Sequence, residues 1–321
     1  MQFLRRTLLV LSLLLGAQAS ADNHPLTIGY SDWPGWVAWE IALEKGWFEE
    51  AGVSVQFEWF DYVASMDAFA AGQLDAVCMT NGDTLVTGAT GRRAEMVLIN
   101  DFSNGNDMIV GRPGIGDLAS LKGKQVGVEI GFVSHLLLLR ALESVGLTEA
   151  DVTLVNVATN ETPQVLASGQ VDAIVAWQPS SSQALQLVPG SQALYTSKDE
   201  PGLIYDTLAV APESLQARRA DWAKVVEVWY RVVAFLEDEA TRPEGLEIMA
   251  ARVGVSADDY GAFFAGTQLL SKEEAKARYV EAEGLESLWG STQVADAFNV
   301  KYEVYSEAQP IDGYVNGGFY E

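Results

Sequence analysis

The first half of the chain alternates short apolar runs with stretches of helical periodicity. Apolar runs at residues 26–28 and 53–59 predict strands, and helices are predicted at residues 37–45 and 65–71. The second of these helices ends at a Gly-Gln pair, and a third strand opens with Asp-Ala. Strands and helices that alternate in this order indicate parallel βαβ units.

This pattern occurs twice. Residues 70–77 read AAGQLDAV and residues 167–174 read ASGQVDAI, so that Gly72 and Gly169 are 97 positions apart. The glycines of the preceding strand regions, Gly29 and Gly127, are 98 positions apart. Two matched features at nearly one offset predict two α/β lobes, since two copies are too few for a solenoid.

A strand is predicted at residues 108–110, and a loop follows it at Arg112–Gly116. We place the boundary between the lobes at this loop. The first lobe is predicted to comprise residues 22–111 and 207–321, and the second lobe residues 112–206. The run DTLAVAP reads as a strand that returns to the first lobe. From residue 221 the apolar positions follow a helical period, with Asp221 as a candidate N-cap. Two chain crossings between the lobes would form a hinge.

The N-terminus has the features of an export signal. Two arginines precede an apolar run of about ten residues, which is too short to span a bilayer, and ASA follows. We therefore expect residues 1–21 to be removed as a signal peptide and the protein to be periplasmic. The adjacent Arg5 and Arg6 leave both general and twin-arginine export open.

The composition of the chain disfavours several classes of binding partner and of functional site. The formal net charge of −24 disfavours binding to nucleic acid and to anionic lipid. A single cysteine, Cys78, excludes an internal disulfide, and it reads as a small core residue. With only two histidines, His24 and His135, neither a His-built metal site nor a cofactor site is predicted.

Aromatic and acidic side chains follow the predicted strands. Ligands of open parallel sheets bind beyond the carboxyl ends of the strands, and two lobes can direct these ends at one cleft. The predicted cleft collects five aromatic residues, namely Trp33, Trp36, Phe132, Trp177 and Tyr205. It also collects five acids, namely Asp32, Asp61, Asp83, Glu129 and Asp206.

This set favours a small cationic or amide-like nitrogen compound. Aromatic faces attract cations, and carboxylates form charge-assisted bonds with N–H donors. Guanidinium suits paired carboxylates, and urea offers the same planar shape with neutral donors. Structural roles remain open at several positions: Trp33 and Trp36 as packing residues, Trp177 as a core residue, and Asp83 as a helix cap.

The chain resembles the periplasmic substrate-binding proteins of ABC importers, in the branch of nitrate, sulfonate, taurine and thiamine-precursor binders. The resemblance rests on LTIGYSDWPG, EKGWFEEAGVSVQF, MDAFAAGQLDAV, LKGKQVGVEIGFVSHLLL, VLASGQVDAIVAWQP and LAVAPESL. It implies an α/β, two-lobed type II (venus flytrap) fold with a cleft and hinge between the lobes. SDWPGW and MTNGD look like the subgroup associated with urea or guanidine uptake.

The resemblance also implies a function and a ligand site. We expect a monomeric solute-binding component that delivers a guanidine- or urea-like compound to a membrane permease. The same fold binding nitrate, taurine or another alkylsulfonate is the alternative, and pyrimidine-precursor binding or synthesis is less favoured. The chain is expected not to be an enzyme. The strand-end argument and the resemblance together give the candidate ligand-binding residues Trp33, Trp36, Asp61, Thr80, Asn81, Glu129, Phe132, Trp177 and Asp206, of which Asp61 and Glu129 come from the strand-end argument alone.

Overall fold

A computed structural model describes residues 24–320, so the signal peptide expected at residues 1–21 lies outside the described residues. The strands, in chain order, are β1 (Leu26–Tyr30), β2 (Val55–Trp59), β3 (Ala76–Thr80), β4 (Glu95–Ser103), β5 (Met108–Gly111), β6 (Gln125–Val128), β7 (Thr153–Asn156), β8 (Ala173–Ala176), β9 (Gln192–Thr196), β10 (Tyr205–Val210) and β11 (Thr267–Leu269).

The α-helices include several of only one or two turns. In chain order they are α1 (Pro34–Val37), α2 (Trp39–Glu44), α3 (Trp47–Glu50), α4 (Tyr62–Ala70), α5 (Asn81–Thr90), α6 (Val133–Ser144), α7 (Thr162–Ser168), α8 (Ser180–Leu187), α9 (Pro212–Glu237), α10 (Arg242–Val253), α11 (Ala257–Phe264), α12 (Lys272–Arg278) and α13 (Leu288–Lys301). The single helix predicted at residues 37–45 is two short helices, α1 and α2. None of the helices within residues 24–320 has the length and apolar character of a membrane span.

The strands form two sheets, one in each lobe. The first sheet has the order β11-β4-β10-β3-β1-β2 and the second has the order β7-β6-β8-β5-β9. In each sheet, three strands of the repeat pair in parallel, with β1 between β2 and β3 and with β6 between β7 and β8. In each sheet, the strand that follows a connection between the lobes pairs antiparallel with the third repeat strand: β10 pairs with β3, and β5 pairs with β8. The two-lobed α/β fold expected from the sequence is confirmed.

The two copies of the repeat use the same local chemistry. Asp75 precedes β3, and its Oδ2 accepts the backbone N–H of Thr27 at 2.9 Å. Asp172 precedes β8, and its Oδ2 accepts the backbone N–H of Gln125 at 3.0 Å. Each carboxylate therefore fastens the start of the third repeat strand to the start of the first. The repeat seen in the sequence corresponds to a repeat in the structure.

Two short connections join the lobes. The first runs from β4 to β5 through Asn104–Asp107, and the second runs from β9 to β10. The Ser103 and Ser197 hydroxyl oxygens are 2.7 Å apart, and the Gly105 N–H donates to Ser197 Oγ at 2.7 Å. These contacts hold the two connections side by side. The expected boundary after residue 111 assigned β5 to the first lobe, whereas β5 pairs with β8 and β9 of the second sheet.

The C-terminal helices return to the first lobe. Trp229 of α9 packs on Trp39 of α2, with 4.6 Å between ring centroids. The prediction that Asp221 caps the start of this helix is wrong. The helix begins at Pro212 and bends at Arg218, which has non-helical φ and ψ angles of −128° and 29°. Asp221 lies past the bend and accepts Arg218 Nε at 2.8 Å, so it stabilises the bend.

Candidate functional site

A cavity of about 130 Å³ lies between the lobes where the repeat strands end. We call it the outer cavity. The first lobe contributes Asp32 and the segment from Trp59 to Ala64, which includes Asp61. The second lobe contributes Glu129, the segment from Ala158 to Asn160, Trp177 and Ser180. Asn160 Nδ2 donates to Asp61 Oδ1 at 3.3 Å, so the lobes touch beside this cavity.

A second, smaller space, the inner cavity, shares Tyr62 and Trp177 with the outer cavity. Its volume is about 10 Å³, which is near that of one water-sized probe. Its lining comprises Trp33, Trp36, Tyr62, Thr80, Asp107, Val133, Trp177, Ile204 and Asp206. The lining comes from both lobes and from the connections between them.

Aromatic rings form much of this lining. Tyr62 stacks on Trp36, with 5.4 Å between centroids and 24° between ring planes. The edge of Trp177 meets Tyr62 at a centroid distance of 5.2 Å, across the boundary between lobes. All of these rings are buried: α1 carries Trp36 and α4 begins at Tyr62, beyond the ends of β1 and β2, and Trp177 directly follows β8 of the second lobe. The arrangement provides flat apolar walls around a narrow space.

Asp83 connects the two lobes from the first turn of α5. Its Oδ2 accepts the Tyr62 hydroxyl at 2.7 Å and the Val133 backbone N–H at 3.4 Å. Val133 is the first residue of α6, whose N-cap Phe132 makes no side-chain cap hydrogen bond. The helix N-terminus of the second lobe is therefore satisfied by a carboxylate of the first lobe. Thr80, and not Asp83, caps α5, because its Oγ1 accepts the Asp83 N–H.

A second buried carboxylate, Asp101, lies under the SDWPGW turn. Trp33 Nε1 donates to both of its oxygens, at 3.1 and 3.3 Å. A Cβ added at Gly35 would collide with this carboxylate, so the Pro-Gly turn lets the α1 backbone approach Asp101. Asp206 is the cross-strand neighbour of Asp101 in the β4–β10 pair. Two acids thus lie side by side behind the tryptophan wall.

Burial dominates the electrostatics of the site. It raises the pKa values of Asp32 and Asp83 to about 6 and those of Asp107 and Glu129 to about 7. The pKa of Asp101 rises to about 8, and that of Asp206 lies well above its ordinary value because of burial and the neighbouring Asp101. Each shift means that the ionised form lacks the solvation that water would give it.

In the described part of the chain, no basic side chain forms an ion pair with any of these six acids. Within residues 24–320, every ion pair with a nitrogen–oxygen distance of 4.0 Å or less involves other carboxylates. Asp107 Oδ2 is buried and has no hydrogen-bond partner, and the carboxyl group of Asp206 lies against that of Asp101, with which it can share a proton. Buried charge without a counter-charge is unfavourable, so the arrangement is one that a cation would stabilise.

The ligand-binding residues predicted from the sequence lie in three places: the inner cavity, the outer cavity and positions outside both. Trp33, Trp36, Thr80, Trp177 and Asp206 line the inner cavity, and Asp61, Glu129 and Trp177 line the outer one. Asn81 and Phe132 line neither. Asn81 Nδ2 donates to Ser291 Oγ at 3.0 Å and its Oδ1 accepts the Tyr205 N–H at 3.1 Å, so this side chain ties α5 to α13 and β10.

Sequence reasoning missed Tyr62, Asp101 and Asp107. Asp107 ends the polar, glycine-containing run SNGND between β4 and β5, a composition typical of a turn, and the sequence pattern does not show that this run connects the lobes. Tyr62 directly follows Asp61, and the strand-end argument, which selects Asp61, gives no separate signal for the tyrosine. Asp101 lies near the end of a long strand, where its neighbour Asp206 is supplied from over a hundred residues away.

Comparison with known proteins identifies the relatives of this chain. The model of the NMT1-like family matches residues 19–250. A binding protein of Brucella abortus (strain 2308) is 30% identical over 240 residues, which are 73% of this chain and 72% of the relative.

Solved structures share the fold. The alkanesulfonate-binding protein SsuA from Xanthomonas axonopodis pv. citri, bound to MOPS, superposes with a TM-score of 0.73 at 19% identity, covering 92% of this chain and 98% of SsuA. The periplasmic nitrate-binding protein NrtA from Synechocystis PCC 6803 gives 0.70 at 11% identity, covering 92% and 87%. The chain belongs to the NMT1-like family and has the two-lobed fold of these periplasmic binding proteins.

Proposed function

We propose that the protein is the solute-binding component of an ABC importer, and that it captures a small guanidine- or urea-like nitrogen compound between its lobes. It acts in the periplasm as a monomer and delivers the ligand to a membrane permease. The family, the two-lobed fold and the location of both cavities between the lobes support a binding role. The ligand class is supported by the acidic cleft.

One observation carries the choice of ligand: four buried acids and two half-buried acids line or adjoin the two cavities, and none of them pairs with a basic side chain of residues 24–320. In water, a guanidinium ion pairs readily with carboxylates through parallel N–H···O bonds. Inside a cleft of low dielectric, the same pairing is stronger and relieves the repulsion between the acids. Urea presents the same planar arrangement of N–H donors and is retained in the proposed class.

An anionic ligand is the second candidate, because SsuA and NrtA bind alkanesulfonate and nitrate as their names state. A helix N-terminus without a side-chain cap, such as that of α6, can receive an anion. Here the Val133 N–H at this terminus already donates to Asp83. An arriving anion would have to displace a carboxylate and approach five others, which disfavours it.

A binding role is also favoured over a pyrimidine-precursor synthase. Cys78 lies within β3 and is fully buried, and burial raises the pKa of its thiol. His135 is buried in α6, and burial lowers its pKa to about 4. Neither side chain lines the outer or the inner cavity.

Calorimetric titration with guanidinium chloride, urea, taurine and sodium nitrate tests the proposal. Saturable binding of guanidinium or urea, without binding of taurine or nitrate, is the expected result. A matched titration with sodium chloride controls for ionic strength. Saturable taurine or nitrate binding, with no response to guanidinium or urea, would overturn the proposal and establish the second candidate.

A further inference from the structure

The outer cavity is the only one of the two cavities defined above that can hold a small organic compound. Its volume of about 130 Å³ has room for roughly four waters, which matches the number of non-hydrogen atoms in guanidinium or urea. The inner cavity, at about 10 Å³, has room for one water. The side chains that bound the outer cavity therefore decide which ligands fit between the lobes.

Trp59 bounds this cavity from the first lobe. It is the last residue of β2, the edge strand of the first sheet, and it lines the outer cavity. The side chain is 38% exposed. Within residues 24–320 four other large apolar side chains are more exposed, and none of those four lines the outer cavity. A large ring at the border of a cavity, left partly in water, is in a position to contact a compound that enters.

Three other side chains hold the Trp59 ring in place. The ring of Tyr30 meets it at 5.2 Å between centroids and 88° between planes. The Arg252 guanidinium lies over it, 4.4 Å from the ring centroid. Arg252 Nε pairs with Glu40 Oε1 at 2.9 Å, and the Tyr30 hydroxyl donates to the same oxygen. These four side chains, from β1, α2, β2 and α10, form a closed network that fixes the indole.

A purely structural role for Trp59 is the competing explanation. Side chains two apart on a strand share a face, so Val55, Phe57 and Trp59 form one row along β2. Phe57 packs on Tyr30 with 5.6 Å between centroids, and Trp59 continues this packing at the end of the strand. The row accounts for the contact between Trp59 and Tyr30. It does not account for a ring that also borders a space shared with the second lobe.

A second tryptophan beneath an arginine provides an internal comparison. The Arg231 guanidinium lies 4.1 Å from the ring centroid of Trp47, and Arg231 pairs with Glu50. Trp47 is buried and lines neither of the two cavities. The two arginines therefore share their local chemistry, and they differ in whether the tryptophan beneath them meets the cavity.

We propose that Trp59 is a specificity-determining residue of the ligand site, and that Arg252 is the positioning residue that holds its ring. This inference rests on the proposed function and extends it from the class of the ligand to its size. The fixed ring limits the outer cavity to a compact, unsubstituted compound. Arg252 does not line the cavity, so it acts on the ligand through the ring.

A methyl group is the probe of this wall. Added to a nitrogen of guanidinium or urea, it brings one further non-hydrogen atom into a space that the parent compound already fills. One additional methylene in a pocket changes affinity by roughly 10- to 200-fold. The ratio of the affinity for a parent compound to that for its substituted analogue, here called the selectivity, therefore measures how rigid the wall is.

The first experiment measures the selectivity by calorimetric titration at constant ionic strength. The compounds are three pairs: guanidinium and methylguanidinium chloride, urea and methylurea, and sodium methanesulfonate and ethanesulfonate. The proteins are wild type, Trp59→Ala, Trp59→Phe, Arg252→Met and the matched control Arg231→Met. Thermal unfolding of each ligand-free variant shows that it is folded at the temperature of the titration.

The second experiment observes the ring directly. The nine tryptophans are labelled with 5-fluorotryptophan, and the fluorine resonance that is missing in Trp59→Phe is that of Trp59. We expect this resonance to shift when the parent compound binds. It should also shift or broaden in Arg252→Met without ligand, because the ring has lost the cation above it. Arg231→Met should leave it unchanged.

Wild type should have a selectivity of about tenfold or more, and Trp59→Ala should reduce it below about threefold. Trp59→Phe should give an intermediate value, since it retains a smaller ring. Arg252→Met should also lower the selectivity, although it removes no atom that lines the cavity. Arg231→Met should keep the selectivity of wild type.

The results that would overturn the inference are distinct from failure of the proposed function. If folded Trp59→Ala keeps the selectivity of wild type, Trp59 does not determine specificity. If Arg252→Met changes neither the selectivity nor the Trp59 resonance, Arg252 is not a positioning residue. Should Trp59→Ala fail to fold, Trp59→Phe and Arg252→Met decide by the same measures.

The three pairs of compounds test the proposed function separately. If wild type binds the sulfonates and neither guanidinium nor urea, the proposed ligand class is wrong, and the sulfonate pair then decides whether Trp59 sets the size limit. If guanidinium or urea binds but the selectivity of wild type is close to one, the proposed function stands and the size limit is wrong. Absence of binding by all six compounds would refute both.

Discussion

The Val133 backbone N–H of the second lobe donates to Asp83 Oδ2 of the first lobe at 3.4 Å, so a carboxylate bridges the cleft at the start of α6. The same oxygen accepts the Tyr62 hydroxyl at 2.7 Å. This one side chain both orders the aromatic wall and joins the lobes. It also occupies the position where an anion would meet the helix.

Asp83→Ala should open the lobes and destabilise the protein, whereas Asp83→Asn should resemble wild type. Alanine leaves two buried donors without an acceptor, at about 1–3 kcal/mol for each group, while asparagine retains an acceptor oxygen. Chemical unfolding measures the stability, and small-angle scattering measures the radius of gyration. Asp61→Ala removes the exposed contact to Asn160 and serves as the control. If Asp61→Ala increased the radius of gyration more than Asp83→Ala does, the exposed Asp61–Asn160 contact, and not Asp83, would hold the lobes together.

Tyr62→Phe should lower the free energy of unfolding by about 1–3 kcal/mol. The hydroxyl donates to Asp83 and accepts the Thr80 N–H at 3.0 Å, so its removal leaves a buried backbone donor unsatisfied. The ring would still stack on Trp36. Denaturant unfolding measures the loss. Tyr302→Phe removes an exposed hydroxyl that also donates to a carboxylate, Glu143, and should change stability by less than about 0.5 kcal/mol.

The ligand-free protein should be more stable at pH 5 than at pH 8. The pKa values of Asp83, Asp107 and Asp101 rise from 3.8 to about 6, 7 and 8, so the folded state binds more protons than the unfolded state between about pH 4 and 8. Stability present below the unfolded pKa is then lost as the pH rises through the folded pKa. We expect a melting temperature lower by roughly 5 °C at pH 8.

Binding of guanidinium should have the opposite pH dependence. A cation pairs with the ionised carboxylates, so its affinity should increase as the pH rises from 5 to 8. Asp107→Asn should flatten both slopes, because it removes one of the titrating groups. Calorimetry at three pH values provides the check. An affinity that is independent of pH would show that protonation of these acids is not linked to binding.

Gly35→Ala should be destabilising, and it should weaken ligand binding as well. The new Cβ would collide with the Asp101 carboxylate, and accommodating such overpacking costs about 1–3 kcal/mol. Displacement of Asp101 would also disturb its neighbour Asp206. Gly116→Ala is the matched control, because a Cβ there meets no atom within 4 Å. Equal unfolding curves for Gly35→Ala and Gly116→Ala would contradict the close approach of the Gly35 backbone to the Asp101 carboxylate.

Local patterns sufficed to predict the repeat and most of the strand ends. Trp33, Trp36 and Trp177 could be placed near a cleft because they lie in the segments that follow predicted strands, and Asp206 because it lies at the start of one. Asp75 and Asp172 could be recognised as equivalent because one short motif occurs in both copies. These features depend on residues close together in the sequence.

Long-range contacts could not be predicted in this way. Asn81 looked like a ligand residue until α13, more than two hundred residues away, provided Ser291 as its partner. Asp107 lies in a run of turn-like composition, and its position beside the inner cavity depends on how the two lobes pack together. The start of α9 could not be predicted because Arg218 and Asp221 stabilise a bend within the helix, at the point where the pattern indicated a helix start.

The two connections between the lobes lie side by side, and each leads to a buried acid: Asp107 ends the first, and Asp206 is the second residue of the strand that follows the second. Burial raises the pKa values of both acids, so neutral side chains at this junction do not repel each other. Ionisation as the pH rises places like charges where the two chain crossings meet. The pH of the surroundings then sets how firmly the two lobes hold together at their junction.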